Sequence, residues 1–307
     1  MIPIVNPQGF VKEYFNHKIV KEDGYNLKEV TPQDLNCFFS ISAIAGVKKY
    51  LNLPVESIKT TFFEVIFITK GYSTVTENLN DIKQIKNQIR FVAPGKICAI
   101  NELSDDVEGY YCLFDQAFIE TFSGMSKILQ SFSFFDLDAI SVLTLTDEQS
   151  AFFEILLHKM KQDFTSNYEK SKTIICNHLI SIFKECNLFY EKIIQENNNL
   201  TSADKITNNF LRLVNKYYLT KRTLSEYAEL LNVTPKHLTK CVKQATNETP
   251  MHFIFNMLIL EAKVLLKESK LSASEIAYHL SFEDASYFNK FFKKHTDFTP
   301  LGFRNNK

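Results

Sequence analysis

One plan of residues is written twice in the last third of the chain, about fifty residues apart, and this repetition constrains the fold more than any other feature. The first copy runs Thr223-Leu-Ser-Glu-Tyr-Ala-Glu-Leu-Leu-Asn-Val-Thr-Pro-Lys-His-Leu-Thr-Lys240. Its periodicity predicts a short helix with Leu224, Ala228 and Leu231 inward, then a tight turn at Val233. A second helix follows, capped by Thr234 with Pro235 in its first turn, and buries Leu238, Val242 and Ala245. A small residue such as Ala228 is what two steeply crossing helices need at their contact, so the pattern predicts a helix-turn-helix unit. The second copy spans Ser272 to Lys294, with Ile276, Ala277 and Leu280 inward, Phe282 in the turn and Phe288, Phe291 and Phe292 on the core side. Between the copies, Phe253 to Lys267 predicts a long apolar helix carrying Phe253, Leu258, Leu260, Ala262, Leu265 and Leu266.

Charge divides the chain in the same place. The 307 residues carry no net charge, yet residues 1–200 have six more acidic than basic side chains and residues 201–307 six more basic than acidic. A basic C-terminal piece on a neutral chain is the footprint of a nucleic-acid binder, although many ordinary solvated surfaces share it.

Helical phase selects the residues that would face DNA. With Leu238, Val242 and Ala245 inward, the first recognition helix exposes Lys236, His237, Thr239, Lys240 and Lys243. The second exposes Ser286, Tyr287, Asn289, Lys290, Lys293 and Lys294. Lysines there would neutralise phosphate, while His237, Thr239, Tyr287 and Asn289 are the side chains able to meet base edges. The bland alternative is that exposed lysines serve solubility and that His237 and Tyr287 pack between helices.

The residues Ile259-Leu-Glu-Ala-Lys-Val-Leu-Leu266, Ser274-Glu-Ile-Ala277, Ser286-Tyr-Phe-Asn-Lys-Phe-Phe-Lys-Lys294, Thr299-Pro300 and Phe303-Arg304 resemble the DNA-binding domain of the AraC family. The resemblance covers about a hundred residues in the family's order. It implies two recognition helices in adjacent major grooves of double-stranded promoter DNA, with RNA polymerase recruited or blocked. The chain departs from the family where glycine is usual, at Asn247, Ser281 and Asp297, and where arginine is usual, at Met257.

The first 200 residues read differently. From about Tyr25 to Phe114, β-branched and aromatic runs such as Phe62 to Thr69, Gln88 to Ala93 and Gly109 to Phe114 alternate with turn signals at Lys70-Gly71 and Pro94-Gly95. Short strands at this spacing predict an antiparallel β-barrel or sandwich. A capping box at Thr146 and Gln149 then opens a helix with Phe153, Leu156, Leu157, Met160 and Phe164 inward, and a second helix carries the stripe Ile175, Leu179, Ile182, Phe183, Cys186, Phe189 and Ile193. That stripe either covers the sheet or pairs residues 169–195 with a second copy in a homodimer. The fold class is therefore α+β: a cupin-like barrel with two long helices over 1–196, a linker at 197–202, and an all-α domain over 203–307 with helix-turn-helix units at about 223–246 and 272–295.

This N-terminal part resembles the cupin-like sensor of many such regulators, through Phe63-Glu-Val-Ile-Phe-Ile-Thr-Lys-Gly71 and Val92-Ala-Pro-Gly95. The resemblance implies a small-molecule effector, for which Phe63, Phe67, Arg90 and Cys112 are the candidate pocket residues. Alternatively the rings simply fill the interior, leaving a regulator without an effector. A catalytic cupin with the C-terminal helices as scaffold is the remaining alternative. Such enzymes need two or three histidines and a carboxylate on a metal, yet no histidine lies between Tyr25 and Phe114, and His17, His158 and His178 are scattered. No metal, cofactor or catalytic residue is expected. Six cysteines without a CxxC pair, no secretory signal and no apolar run of membrane length predict a cytoplasmic protein with no membrane association.

Overall fold

The computed structural model describes residues 6–16, 37–136, 139, 141–196 and 201–305. The described chain divides into two compact units, one within residues 6–196 and the other within 201–305. The expected linker residues 197–200 and the stretch from Tyr25 to Asn36, where the strands were expected to start, lie outside the described residues, as does His17.

In the first unit, helix α1 (Pro7–Tyr14) precedes strand β1 (Phe39–Ala43), helix α2 (Ile44–Lys48) and strands β2 (Val55–Lys59), β3 (Phe63–Lys70), β4 (Tyr72–Glu77), β5 (Asn80–Ile85), β6 (Gln88–Val92), β7 (Ile97–Leu103) and β8 (Glu108–Phe114). Helix α3 (Gln116–Ser123), strand β9 (Val142–Thr144) and the long helix α4 (Asp147–Glu196) complete it. The strands pair antiparallel in two sheets of order β1-β8-β3-β6-β9 and β2-β7-β4-β5, so the fold is the open, two-sheet alternative and not a closed barrel. Gly71, at φ 70°, makes the tight β3–β4 turn.

Alternation along the larger sheet decides what each face holds. Val65, Phe67, Ile89, Phe91, Cys112 and Phe114 point to one side, where Leu157, Met160, Ile175, Leu179 and Phe183 of α4 cover them. Phe183 sits at the centre, 6.0 Å from the Phe91 ring and 5.8 Å from that of Phe114. Helix α4 opens on the expected capping box, Thr146 with Gln149, and is broken at Asn167 (φ −159°, ψ 62°), giving the two expected helices.

The second unit contains α5 (Ser202–Tyr217), α6 (Leu224–Leu230), α7 (Pro235–Thr246), α8 (Pro250–Glu268), α9 (Ala273–His279), α10 (Ala285–Thr296) and α11 (Pro300–Asn305). Thr201 caps α5 in a capping box with Asp204, so the helical unit begins inside the stretch read as linker. Among the described residues no single helix is long and apolar enough to cross a membrane.

Candidate nucleic-acid interface

Helices α6 and α9 are the first helices of the two units. Each starts on a capping box, Thr223 with Glu226 and Ser272 with Glu275. Hydrogen bonding to the cap lowers the pKa of both glutamates. Each also ends alike. The Val233 amide donates to the Ala228 carbonyl at 3.0 Å and the Phe282 amide to the Ala277 carbonyl at 2.9 Å, with Asn232 (φ 53°) and Ser281 (φ 57°) left-handed between them. Glycine is the residue that meets this conformation without strain. Ser281 gains a compensating hydrogen bond from its hydroxyl to the Leu219 carbonyl, 3.1 Å. Asn247 (φ 59°) and Asp297 (φ 62°) end the recognition helices the same way. The positions expected to favour glycine are thus left-handed, and Asn232 is a fourth that sequence reading missed.

The recognition helices α7 and α10 superimpose in sequence at an offset of fifty: Leu238, Cys241 and Val242 are buried where Phe288, Phe291 and Phe292 are. One phase assignment is corrected. Ala245 is exposed and Cys241 takes the inward place, because the helix leaves the core in its last turn. In α6, Tyr227 is buried beside Ala228, while Leu224 and Leu231 are half-buried. The ring of Tyr227 packs edge-on to Phe210 at 5.5 Å, and its hydroxyl reaches the Lys221 carbonyl.

On the outward faces, Lys236, His237, Lys240, Lys243, Ser286, Tyr287, Asn289, Lys290, Lys293 and Lys294 are all exposed and Thr239 half-buried. None of these six lysines has an ion-pair partner among the described residues. The two faces differ in their polar groups. The Thr239 hydroxyl donates to the Pro235 carbonyl of its own helix at 2.9 Å, and the His237 ring lies 3.7 Å from the Cys241 sulfur. Tyr287 stands 60% exposed with its ring 5.9 Å from that of Phe282, and the Asn289 side chain has no hydrogen-bond partner among the described residues.

Three ties hold the units together. The connecting helix α8 buries Ile254, Met257, Leu258, Ile259, Ala262, Val264, Leu265 and Leu266; Phe253 and Leu260 are half-buried. The Arg222 guanidinium lies over the Phe282 ring, 4.8 Å from its centre, linking the entry of the first unit to the turn of the second. Tyr218 donates to the buried Glu261 carboxylate at 2.8 Å, a polar tether to α8 one turn beyond Met257.

The candidate pocket residues in the first unit do not converge. A cavity of about 90 Å³ lies on the sheet face opposite α4, lined by Glu64, Ile66 and Ile68 of β3, Arg90 of β6 and Tyr111 and Leu113 of β8, with Ser73, Cys98 and Phe10 from other elements. Arg90 lines it. Phe63, Phe67 and Cys112 are corrected: strand parity turns them to the α4 side, where they belong to the packed core. Sequence reading missed Glu64, Glu77 and Lys96. Lys96 is fully buried on Glu77 at 2.8 Å, and Arg90 stands 3.5 Å from the same carboxylate. Arg90 also donates to Gln84 at 3.3 Å. Glu64 accepts from Tyr111 at 3.0 Å, and burial raises its pKa against the pull of Arg90. Burial pushes the Cys98 thiol up to about 12. Among the described residues, Arg90 Nη1, Glu77 Oε2 and Ser73 Oγ are buried without a hydrogen bond. Among the described residues no His, Cys, Asp or Glu cluster could hold a metal ion.

Residues 227–306 match the model of a helix-turn-helix domain family. The HTH-type transcriptional activator RhaS of Escherichia coli O157:H7 is 24% identical over 123 residues, which are 40% of this chain and 44% of that protein. The uncharacterised HTH-type transcriptional regulator YisR of Bacillus subtilis is 23% identical over 271 residues, 86% of this chain and 92% of that protein. The chain thus spans less than half of RhaS and nearly all of YisR. Among solved structures, the C-terminal domain of AraT, a response regulator of Geobacillus stearothermophilus, is 26% identical and covers 35% of this chain and 89% of its own, with a TM-score of 0.33. ToxT of Vibrio cholerae is 14% identical, covers 87% and 97%, and has a TM-score of 0.36.

Proposed function

We propose that this chain, which belongs to the AraC family through its C-terminal helix-turn-helix domain, is a sequence-specific DNA-binding transcription regulator and not an enzyme. The observation that carries the reading is the matched pair of recognition helices, each offering lysines without ion-pair partners among the described residues, Lys240 and Lys243 on one and Lys290 and Lys293 on the other. A rigid pair of cationic faces fits consecutive major grooves of promoter DNA, where it would recruit or block RNA polymerase. Such a protein works in the cytoplasm. Binding of the full chain to promoter fragments, followed by fluorescence anisotropy over rising salt, tests this. Each phosphate contact adds about −0.9 to the slope of log affinity against log salt, so a steep negative slope is expected. A flat slope, or no fragment bound better than random duplex, would sink the reading.

The cavity supports a second component, an effector-binding role for the cupin-like unit. Its walls are mainly apolar, while Arg90 Nη1, 3.5 Å from Glu77 Oε2, and Ser73 Oγ are buried with no hydrogen bond among the described residues. That chemistry suits a small, mainly apolar compound with one accepting or acidic end. Small apolar carboxylates should raise the melting temperature of the full chain, and Arg90→Met should abolish the rise. Equal stabilisation of both proteins would remove Arg90 from this role.

Pairing with a second copy through residues 169–195 would have to use the outer side of α4. The inner stripe, Ile175, Leu179, Ile182, Phe183 and Cys186, is fully buried on the protein's own sheet with Phe189 packed beside it; the Ile193 side chain lies outside the described residues. Among the described residues of that stretch, Ile174 and Leu188, 49% and 60% exposed, are large apolar side chains left outward for such a homodimer.

A further inference from the structure

We infer that the two recognition helices divide the labour of binding: the second reads sequence, with Asn289 selecting adenine, and the first mainly grips phosphate. The inference rests on the DNA-binding reading and adds to it a specific base contact. Thr239 and Asn289 occupy equivalent positions, one residue past the first buried anchor of each helix, Leu238 and Phe288. The single hydroxyl proton of Thr239 is engaged by the Pro235 carbonyl, which leaves that residue able only to accept. Asn289 is exposed and its amide has no partner among the described residues. An amide offers a donor and an acceptor side by side, the combination that matches N7 and the N6 amino group of adenine in the major groove.

The neighbouring positions differ in the same sense. Lys236 and His237 of the first helix correspond to Ser286 and Tyr287 of the second. The His237 ring lies against Cys241 of its own helix, whereas Tyr287 is 60% exposed and its hydroxyl makes no hydrogen bond among the described residues. Gln244, the amide of the first helix, lies in its last turn, beyond the N-terminal residues through which recognition helices reach base edges. Neither helix carries an arginine; Arg222 lies over Phe282 and Arg304 donates to the Leu266 carbonyl. The two helices share Lys240 and Lys290, and Lys243 and Lys293, at matching places, so phosphate gripping is common to both and the amide is what sets the second apart.

The test uses the full chain and duplexes selected from a random library. Wild type should prefer one A·T pair in the half-site under the second helix by roughly 5- to 150-fold over G·C. Replacing that adenine by 7-deazaadenine, which lacks the N7 acceptor, should weaken wild type severalfold and leave Asn289→Ala unchanged. Asn289→Ala should lose the preference while retaining its salt slope, which also shows that the variant is folded. Thr239→Ala, which removes only an acceptor, should alter base preference less than Asn289→Ala does. If wild type tolerates 7-deazaadenine throughout that half-site, or if Thr239→Ala relaxes selectivity as much as Asn289→Ala, the division of labour is overturned while DNA binding stands. If no duplex binds above random sequence, both fall together.

Discussion

The two units of the molecule place the same kind of side chain in opposite situations. In the sheet unit, Lys96 is fully buried and holds the Glu77 carboxylate at 2.8 Å. In the helical unit, Lys240 and Lys290 stand exposed with no partner among the described residues. A cation taken out of water must be met by a carboxylate or it destabilises the fold by several kcal/mol. An unpaired cation at the surface adds little to stability and is available to a polyanion. Lys96 is therefore an architectural residue, whereas Lys240 and Lys290 are exposed and contribute little to the fold.

The largest expected effects separate the units. Lys96→Met should destabilise the sheet unit by about 3–5 kcal/mol, because Glu77 loses its close partner; Phe288→Ala should cost the helical unit about 3–5 kcal/mol through the cavity it leaves. Denaturant unfolding, followed together with DNA binding, should show the first change in one transition and the second in the other. A single shared transition shifted alike by both would break the comparison. Ser272→Ala, which removes the cap of α9, should lower stability of the helical unit by about 1 kcal/mol, and an effect on the sheet unit's transition would count against two independent units. Lys290→Ala should leave stability unchanged and reduce the salt slope of DNA binding by about 0.9; an unchanged slope would return Lys290 to an ordinary solvated surface. The smallest effect sharpens the contrast through pH. The Glu64 pKa is raised in the folded state, chiefly by burial, so the folded chain binds this proton more tightly than the unfolded one. Its contribution is present below the ordinary carboxylate range and is lost as pH rises through the folded pKa. Glu64→Gln should therefore melt progressively higher relative to wild type as pH rises across that window, and parallel melting curves would contradict the direction given.

The helical unit was legible because its determinants are local. Thr223, Ser272 and Thr234 cap helices, Ala228 and Ala277 permit close crossing, and Phe288, Phe291 and Phe292 recur at helical spacing. Each is a statement about residues within a few positions of one another. Even there, the last turn was misjudged: Ala245 fits the helical phase but lies where α7 leaves the core. Asn232 also escaped notice, since nothing in its neighbours announces a left-handed residue, although its counterpart Ser281 was flagged.

The sheet unit was legible as strands but not as faces. Phe63, Phe67 and Cys112 were grouped with Arg90 as one pocket, yet a strand turns successive side chains to opposite sides, and only the covering by α4 says which side is the core. The stripe from Ile175 to Cys186 likewise predicted a buried face without saying whether a sheet or a second copy would bury it.

The sequence by itself determined the paired helix-turn-helix units, the split of charge and the outward phase of the lysines, because helix periodicity, capping and turn chemistry are settled over a few residues. Only the tertiary structure decided that Lys96, Glu77 and Arg90 meet beside the cavity, that Thr239 is engaged where the Asn289 side chain has no partner among the described residues, and that the α4 stripe belongs to its own sheet. Those outcomes depend on contacts between segments far apart in the chain and on which face packing leaves open, and no local pattern encodes either.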